Sequence, residues 1–124
     1  MKVLVVDDSA IMRKVIEQIL EMLGHEAVPA ANGVEAFDRL KEHDDVRLIL
    51  LDWNMPEMNG IEFLRAVKDR PGLSKIPVIM LTTESERRKM IEAIEAGAKH
   101  YLTKPFQPET LATKILQCVE PGSQ

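Results

Sequence analysis

The fold is decided by one stretch, Arg47-Leu48-Ile49-Leu50-Leu51-Asp52-Trp53-Asn54-Met55-Pro56. Four consecutive apolar residues lead directly into a single carboxylate, Asp52, and a proline-containing loop follows. A short apolar run with proline and glycine downstream is typical of a strand buried on both faces, as a parallel sheet requires. Asp52 would then lie at the carboxyl end of its strand, where open α/β sheets place their ligand sites. Asp52 is therefore our candidate reactive residue.

The composition is that of a soluble globular chain. Its 124 residues are enough for one domain with a hydrophobic core, and 45% of them are hydrophobic and 29% charged. The net charge of -4 argues against a nucleic-acid-binding surface over the whole molecule. The single cysteine cannot form an internal disulfide, and no apolar run approaches the roughly 20 residues of a membrane-spanning helix. We therefore expect a cytoplasmic protein without membrane insertion.

Short apolar runs alternate with helical patterns along the chain. We predict strands over residues 2–6, 26–31, 48–52, 78–81 and 99–103. Five strands that alternate with five helices predict an α/β fold in which helices cover both faces of a parallel sheet. Pro29 cannot donate to a sheet ladder, so the second strand belongs at an edge. With right-handed crossovers this predicts the flavodoxin-like, doubly wound (βα)5 order 2-1-3-4-5 over residues 1–120, followed by a flexible tail or linker stub at 121–124.

The first helix carries apolar residues at many positions. A wide apolar stripe runs along it, formed by Ile11, Val15, Ile19 and Met22 with their apolar neighbours. Such a stripe predicts that one broad side of the helix faces the core. Gly24 is placed to end the helix as a left-handed cap.

Polar side chains follow four of the predicted strands at the point where each strand ends. Asp7 and Asp8 follow the first, Asp52 ends the third, Thr82 follows the fourth, and Lys104 comes after the fifth. In a parallel sheet these ends lie at one edge, and the switch point between the first and third strands brings the three acids together. We therefore expect all five side chains to converge.

Three neighbouring carboxylates repel one another. Two unit charges 4 Å apart cost about 1 kcal/mol in water and about 4 kcal/mol at an effective dielectric constant of 20. Bound protons or a cation must relieve this repulsion, and oxygen ligands favour Mg²⁺, with Mn²⁺ as an alternative, over zinc. A divalent cation, the Lys104 ammonium and the Thr82 hydroxyl would together hold phosphoryl oxygens. The pattern therefore predicts that Asp52 is a nucleophile that accepts a phosphoryl group.

These motifs resemble the receiver domain of bacterial two-component response regulators. The resemblance rests on Asp7-Asp8, residues 51–56 with Gly60, Thr82 and Lys104-Pro105, and it covers essentially the whole chain. Stand-alone chemotaxis-type (CheY-like) receivers are the most similar members, because of residues 53–56, the short tail and Tyr101. The resemblance implies a signalling receiver, not an enzyme, which catalyses only its own phosphorylation and dephosphorylation.

The resemblance also implies a role for each matching acid. Asp52 would accept the phosphoryl group from a histidine kinase or a small acyl phosphate. Asp8, Asp52 and the backbone carbonyl of Asn54 would ligate Mg²⁺ directly. Asp7 would act on the metal mostly through water.

Other positions would handle the phosphoryl group itself. Thr82 and Lys104 would bind its oxygens, and the Lys104–Pro105 peptide bond would be cis, which is inexpensive before proline. Asn54 and Glu84 would border the attacking water and set the lifetime of the phosphate. We expect Trp53 to be partly exposed beside the site.

The resemblance further implies a switch and a set of partners. Phosphate on Asp52 would draw Thr82 inward and let Tyr101 rotate from exposed to buried, which shifts an existing two-state equilibrium. The implied readout surface comprises the fourth helix, fifth strand and fifth helix, with Arg87, Met90, Lys99, Tyr101 and Lys114. The implied partners are a histidine kinase, a target such as the flagellar motor switch or another effector, and a phosphatase.

Each residue also has a simpler interpretation. An aspartate at a strand end commonly serves a turn, Asp7-Asp8 could stabilise a helix N-terminus, and Lys104 could be an ordinary surface lysine. The expected convergence of these residues at one edge of the sheet favours a phosphoryl-accepting site over these simpler interpretations.

Three other functions compete with a stand-alone receiver. The chain could be the excised N-terminal receiver of a multidomain, for example DNA-binding, regulator. It could be an aspartyl-phosphate phosphatase, although such enzymes carry a second carboxylate where this chain has Asn54, and they usually have a cap domain. It could also be an interaction module with a vestigial acid site.

Overall fold

The computed structural model describes residues 1–53, 55, 58–83 and 87–119. The strands are β1 (Lys2–Val6), β2 (Glu26–Ala30), β3 (Val46–Asp52), β4 (Val78–Thr83) and β5 (His100–Lys104). The helices are α1 (Ala10–Met22), α2 (Gly33–Glu42), α3 (Gly60–Lys68), α4 (Arg87–Glu95) and α5 (Pro108–Val119). All strand pairings are parallel, in the order β2-β1-β3-β4-β5. The predicted flavodoxin-like fold is therefore confirmed, with β2 and β5 at the edges.

The sheet is buried on both faces, and its side chains alternate between two apolar clusters. Leu4 and Val6 point into a cluster formed with α2, α3 and α4, while Val3 and Val5 point into a second cluster formed with α1 and α5. This double burial explains why the central strands are continuous apolar runs. It also leaves only the strand ends available for polar chemistry.

Side-chain caps begin α1, α2 and α3. The Ser9 hydroxyl accepts a hydrogen bond from Met12 N–H at the start of α1, and the Asn32 side chain caps α2. Asn59 and Glu62 form a reciprocal capping box at the start of α3. Each cap satisfies backbone N–H groups that have no partner within the helix. The helices that follow β1 and β3 therefore start at defined points beside the strand ends.

The wide apolar stripe of α1 is only partly buried. Ile16 and Leu20 are fully buried, whereas Ile11 and Met22 are 80% and 79% exposed. The prediction that Ile11, Val15 and Met22 face the core is wrong, because a helix lying on a sheet buries only one stripe of its surface. Gly24 has φ 85°, as expected for the left-handed cap after the helix.

The predicted tail at 121–124 lies outside the described residues. None of the helices in the described ranges is both long enough and apolar enough to cross a lipid bilayer.

Candidate functional site

The three acids meet at the carboxyl ends of β1 and β3. Val6 pairs with Leu51, so the next residues of the two strands, Asp7 and Asp52, come to lie side by side. One carboxylate oxygen from each of Asp7, Asp8 and Asp52 lies within 4.8 Å of the others. Asp7 and Asp52 are buried, whereas Asp8 is exposed. The predicted convergence of the acids is confirmed.

Lys104 brings a positive charge to the acids from the edge strand β5. Its Nζ atom donates hydrogen bonds to Asp52 Oδ1 at 2.8 Å and to Asp7 Oδ2 at 3.4 Å. The following Lys104–Pro105 peptide bond is cis, as predicted. Lys104 therefore faces the acids and is not a solvated surface lysine.

The pKa of the Asp52 carboxyl is raised above its ordinary value. Burial is the main cause, and the negative charges of Asp7 and Asp8 add to it, while the hydrogen bond from Lys104 opposes it. Burial alone would lower the pKa of Lys104, but its bond to Asp52 and the charges of Asp52 and Asp7 raise it overall. The two shifts therefore have different main causes, burial for Asp52 and the neighbouring carboxylates for Lys104.

Thr82 presents a hydroxyl group that makes no hydrogen bond among the described residues. It lies on β4, one residue beyond the position that pairs with Asp52, and it is only 1% exposed. Within the described part of the chain, its Oγ1 is the buried side-chain oxygen that makes no hydrogen bond. A buried, unsatisfied hydroxyl costs stability, so its presence at this edge points to a role in binding.

Gly60 allows α3 to start against the end of β3. Its N–H donates to the Trp53 carbonyl at 2.8 Å. A Cβ at this position would lie 2.7 Å from the Asp52 carbonyl oxygen and 2.9 Å from the Trp53 Cα. Only glycine permits this approach without a backbone shift, so the backbone on which Asp52 stands is held by close packing.

Trp53 is buried, and the expectation of partial exposure is wrong. Its side chain is 6% exposed and belongs to the cluster formed with α2, α3 and α4. The Lys89 ammonium of α4 lies 5.4 Å from the centre of the indole ring, within the range of a cation–π contact. Packing in this cluster removes the large apolar surface of Trp53 from water.

The predicted readout surface is only partly as expected. Tyr101 is 40% exposed, Lys99 is exposed, and the Lys114 ammonium lies 5.8 Å from the centre of the Tyr101 ring. Met90 is buried at 9% exposure, contrary to the expectation that it faces a partner. It lies on the inner side of α4. The side chain of Arg87, and all of Asn54 and Glu84, lie outside what the structure describes.

Two contacts that hold Asp7 were not predicted. The Ser9 N–H donates to Asp7 Oδ1 at 2.9 Å, and the Arg13 guanidinium donates to the Asp7 carbonyl at 2.6 Å. A signal for the second was available in the sequence. Side chains of a helix point back toward its N-terminus, so an arginine in the first turns can reach the strand that precedes it.

The donor set fits a hard divalent cation. Three carboxylates supply oxygen ligands only, which suits Mg²⁺ or Mn²⁺, and the exposed Asp8 leaves the cluster open to solvent. The charge balance also fits, because Lys104 alone does not neutralise three acids.

Comparisons with known proteins agree with this geometry. The family model described as "Response regulator receiver domain" matches residues 3–116. A Campylobacter jejuni protein named "Chemotaxis protein CheY homolog" is 44% identical over 99% of this chain and 95% of its own length. The Helicobacter pylori protein "Chemotaxis protein CheY1" is 44% identical over 93% of this chain and 94% of its own. The solved structure of Vibrio cholerae CheY4 has a TM-score of 0.88 and 38% identity, over 95% of this chain and 98% of that one.

Proposed function

This chain belongs to the response regulator receiver domain family, and we propose that it is a chemotaxis-type receiver that accepts a phosphoryl group on Asp52. The proposed donor is the phosphohistidine of a histidine kinase or a small acyl phosphate. Domains of this family are signalling receivers, and we propose that the catalysis of this chain is confined to its own phosphorylation and dephosphorylation. The proposed location is the cytoplasm, where such kinases signal.

The observation that carries this proposal is the set of contacts around the Asp52 carboxylate. One oxygen accepts a hydrogen bond from Lys104, and Asp7 and Asp8 provide oxygens within 4.8 Å. A nucleophilic carboxylate beside two further acids and one ammonium suits the acceptance of a group that itself carries several negative oxygens. Catalysis of such transfers depends on positioning and on charge stabilisation.

We propose that Asp7, Asp8 and Asp52 hold one Mg²⁺, together with the backbone carbonyl of Asn54. When bound, the metal would neutralise charge on the phosphoryl oxygens as a Lewis acid. An oxygen of Asp52 attacks phosphorus, the P–N bond to the donor histidine breaks, and the electron pair leaves with the imidazole, which takes up a proton. Lys104 stabilises the charge on the transferred group, and Thr82 gains the partner that its hydroxyl lacks.

The proposed reverse step is hydrolysis. Water attacks phosphorus, the bond to the Asp52 oxygen breaks, and inorganic phosphate leaves. Asn54 and Glu84 are proposed to border this water and set the lifetime of the phosphate. A separate phosphatase is a proposed partner that would shorten this lifetime.

The proposed output runs through Thr82 and Tyr101. These residues lie on neighbouring strands, and the half-exposed Tyr101 ring has a surface from which it could turn inward. Movement of Thr82 toward the phosphate would favour the buried Tyr101 state and change the surface of α4, β5 and α5. The proposed target on this surface is the flagellar motor switch or another effector.

Phosphorylation of the purified chain tests the proposal. Acetyl phosphate with Mg²⁺ should give one acid-stable, hydroxylamine-sensitive phosphoryl group, detected by intact-mass spectrometry and mapped to Asp52. Asp52→Asn should abolish it, whereas Asp38→Asn, which changes an exposed aspartate of α2, should leave it intact. Equal phosphorylation of Asp52→Asn and the wild type would contradict the proposal, as would multiple-turnover hydrolysis of phosphomonoesters.

A further inference from the structure

On the basis of the function proposed above, we propose that Arg13 is a positioning residue for the metal site. Its guanidinium holds the peptide that joins Asp7 to Asp8, and it thereby sets the direction of the Asp8 carboxylate. Arg13 does not reach the reacting atoms in this role. It acts through the backbone of the acid pair.

The first step concerns Asp7, whose polar groups are all held by the protein. Its N–H donates to the Ala30 carbonyl at 3.1 Å, and its carboxylate accepts from Ser9 N–H at 2.9 Å and from Lys104 at 3.4 Å. Its carbonyl accepts from Arg13 at 2.6 Å, a short bond for an N–H donor. Arg13 therefore provides the contact that fixes the carbonyl side of Asp7.

The second step concerns the peptide plane. The Asp7 carbonyl belongs to the planar peptide unit that ends at the Asp8 Cα atom. Anchoring the carbonyl oxygen fixes the plane of this unit, and with it the positions of the Asp8 N and Cα atoms from which the side chain departs. Asp8 is exposed, so packing contributes little to its orientation. The bond from Arg13 restrains the peptide unit before this solvent-exposed acid, and the Ser9 N–H bond to Asp7 restrains the unit after it.

Arg13 has two opposing effects on a divalent cation. Its positive charge would repel the cation, whereas its hydrogen bond orients a ligand. Removal of a group that orients a metal ligand commonly weakens metal affinity by about 10- to 100-fold. The repulsion is weakened by solvent and salt, because Arg13 is only half-buried and lines a solvent-open groove between α1, β2 and α2. Orientation should therefore dominate.

The same groove makes Arg13 a good position for substitution. It has a volume of about 290 Å³ and includes the neighbouring Lys14. Truncating Arg13 enlarges an open groove and leaves no closed cavity, so the variant should fold. Lys14→Met is the matched control, since it removes one positive charge from the same helix and the same groove.

The test is a titration of the full chain with Mg²⁺ alone, followed by NMR of the backbone amides. We expect Arg13→Met to weaken Mg²⁺ binding about tenfold. Lys14→Met should bind like the wild type, and Arg13→Lys, which retains a donor, should recover most of the affinity. In the metal-free protein, Arg13→Met should also speed hydrogen exchange of the Ser9 amide, which donates to Asp7 Oδ1. Its phosphorylation rate should return to the wild-type value at saturating Mg²⁺.

Several results would overturn the inference. If Arg13→Met binds Mg²⁺ like Lys14→Met, the hydrogen bond has no positioning role. If it binds Mg²⁺ more tightly, Arg13 acts only as a repelling charge. If the wild type binds Mg²⁺ but Asp52 is never phosphorylated, the proposed function fails and the role of Arg13 is judged on the titration alone. A wild type that does not bind Mg²⁺ would refute both.

Discussion

Lys104 donates a 2.8 Å hydrogen bond to Asp52 across the full width of strand β4, which separates β5 from β3 in the sheet. The Lys104 stem must therefore extend over the end of β4 to reach the acid. Among the described residues, this ammonium pairs with two of the three clustered carboxylates, so the metal-free cluster carries an excess of negative charge. This imbalance has consequences for stability that can be measured without any phosphoryl donor.

Replacement of Asp52 by asparagine should stabilise the metal-free protein at neutral pH, by about 1 kcal/mol. Burial raises the pKa of Asp52 above its ordinary value of 3.8, so the folded chain binds this proton more tightly than the unfolded chain does. The ionised group therefore costs stability above the raised pKa, and the cost disappears as the pH falls below the ordinary value.

Urea unfolding of both proteins in EDTA, across a range of pH, checks this effect. The advantage of Asp52→Asn should shrink as the solution is acidified through that window. Asp38→Asn serves as the control because its carboxylate is exposed. The prediction is contradicted if Asp52→Asn is no more stable than the wild type at neutral pH, or if its advantage in stability grows on acidification. Either result would show that the repulsion among the three carboxylates is already relieved.

Replacement of Thr82 by valine should also stabilise the protein, by about 1 kcal/mol. The change keeps the shape of the side chain and removes a buried hydroxyl that makes no hydrogen bond to the part of the chain that the structure describes. The free energy of unfolding, measured without phosphoryl donor, tests this. Thr103→Val, at the paired position on β5, is the control and should have a smaller effect because Thr103 is half-buried. A clear loss of stability in Thr82→Val would mean that the hydroxyl has a partner after all.

Replacement of Gly60 by alanine should destabilise the protein by about 1–3 kcal/mol. The new Cβ would meet the backbone of Asp52 and Trp53, neither of which can rotate away. Gly72→Ala is the matched control, since a Cβ there meets no atom within 4 Å. Thermal unfolding of the two variants gives the comparison directly, and equal melting temperatures would refute the close approach of α3 to β3.

The fluorescence of Trp53 should be shielded from solvent. The chain has a single tryptophan, which is 6% exposed, so its emission should be blue-shifted relative to free indole in water. Acrylamide should quench it much less than it quenches N-acetyltryptophanamide, and urea should abolish the difference. Quenching as efficient as that of the model compound would place the indole at the surface.

The sheet order and the meeting of the acids could be predicted because both follow from backbone periodicity. The apolar runs that end at Val6, Leu51 and Leu81 identify the central strands, and Pro29 identifies an edge. Once the strands are parallel, their ends must share one edge, and this brings Asp7, Asp52 and Lys104 together however far apart they are in the sequence.

The side-chain details could not be predicted in the same way. Trp53 follows a strand, where no periodicity predicts which way a side chain points. Its burial depends on packing with residues of α2, α3 and α4 that are distant in the sequence. In α1 the apolar positions outnumber those that one face can bury, so the sequence did not identify Ile11 and Met22 as the exposed ones. The bond from Arg13 to the Asp7 carbonyl likewise depends on how α1 leaves the sheet.

The bond between Lys104 and Asp7 joins residues that are 97 positions apart in the chain. A polypeptide still emerging from the ribosome carries Asp52 well before β5 has been synthesised. Until then Asp52 lacks its ammonium neighbour, and the edge of the sheet that presents it is unfinished. The acid cluster and its ammonium neighbour can therefore come together only in a chain that has been synthesised through β5 and has folded.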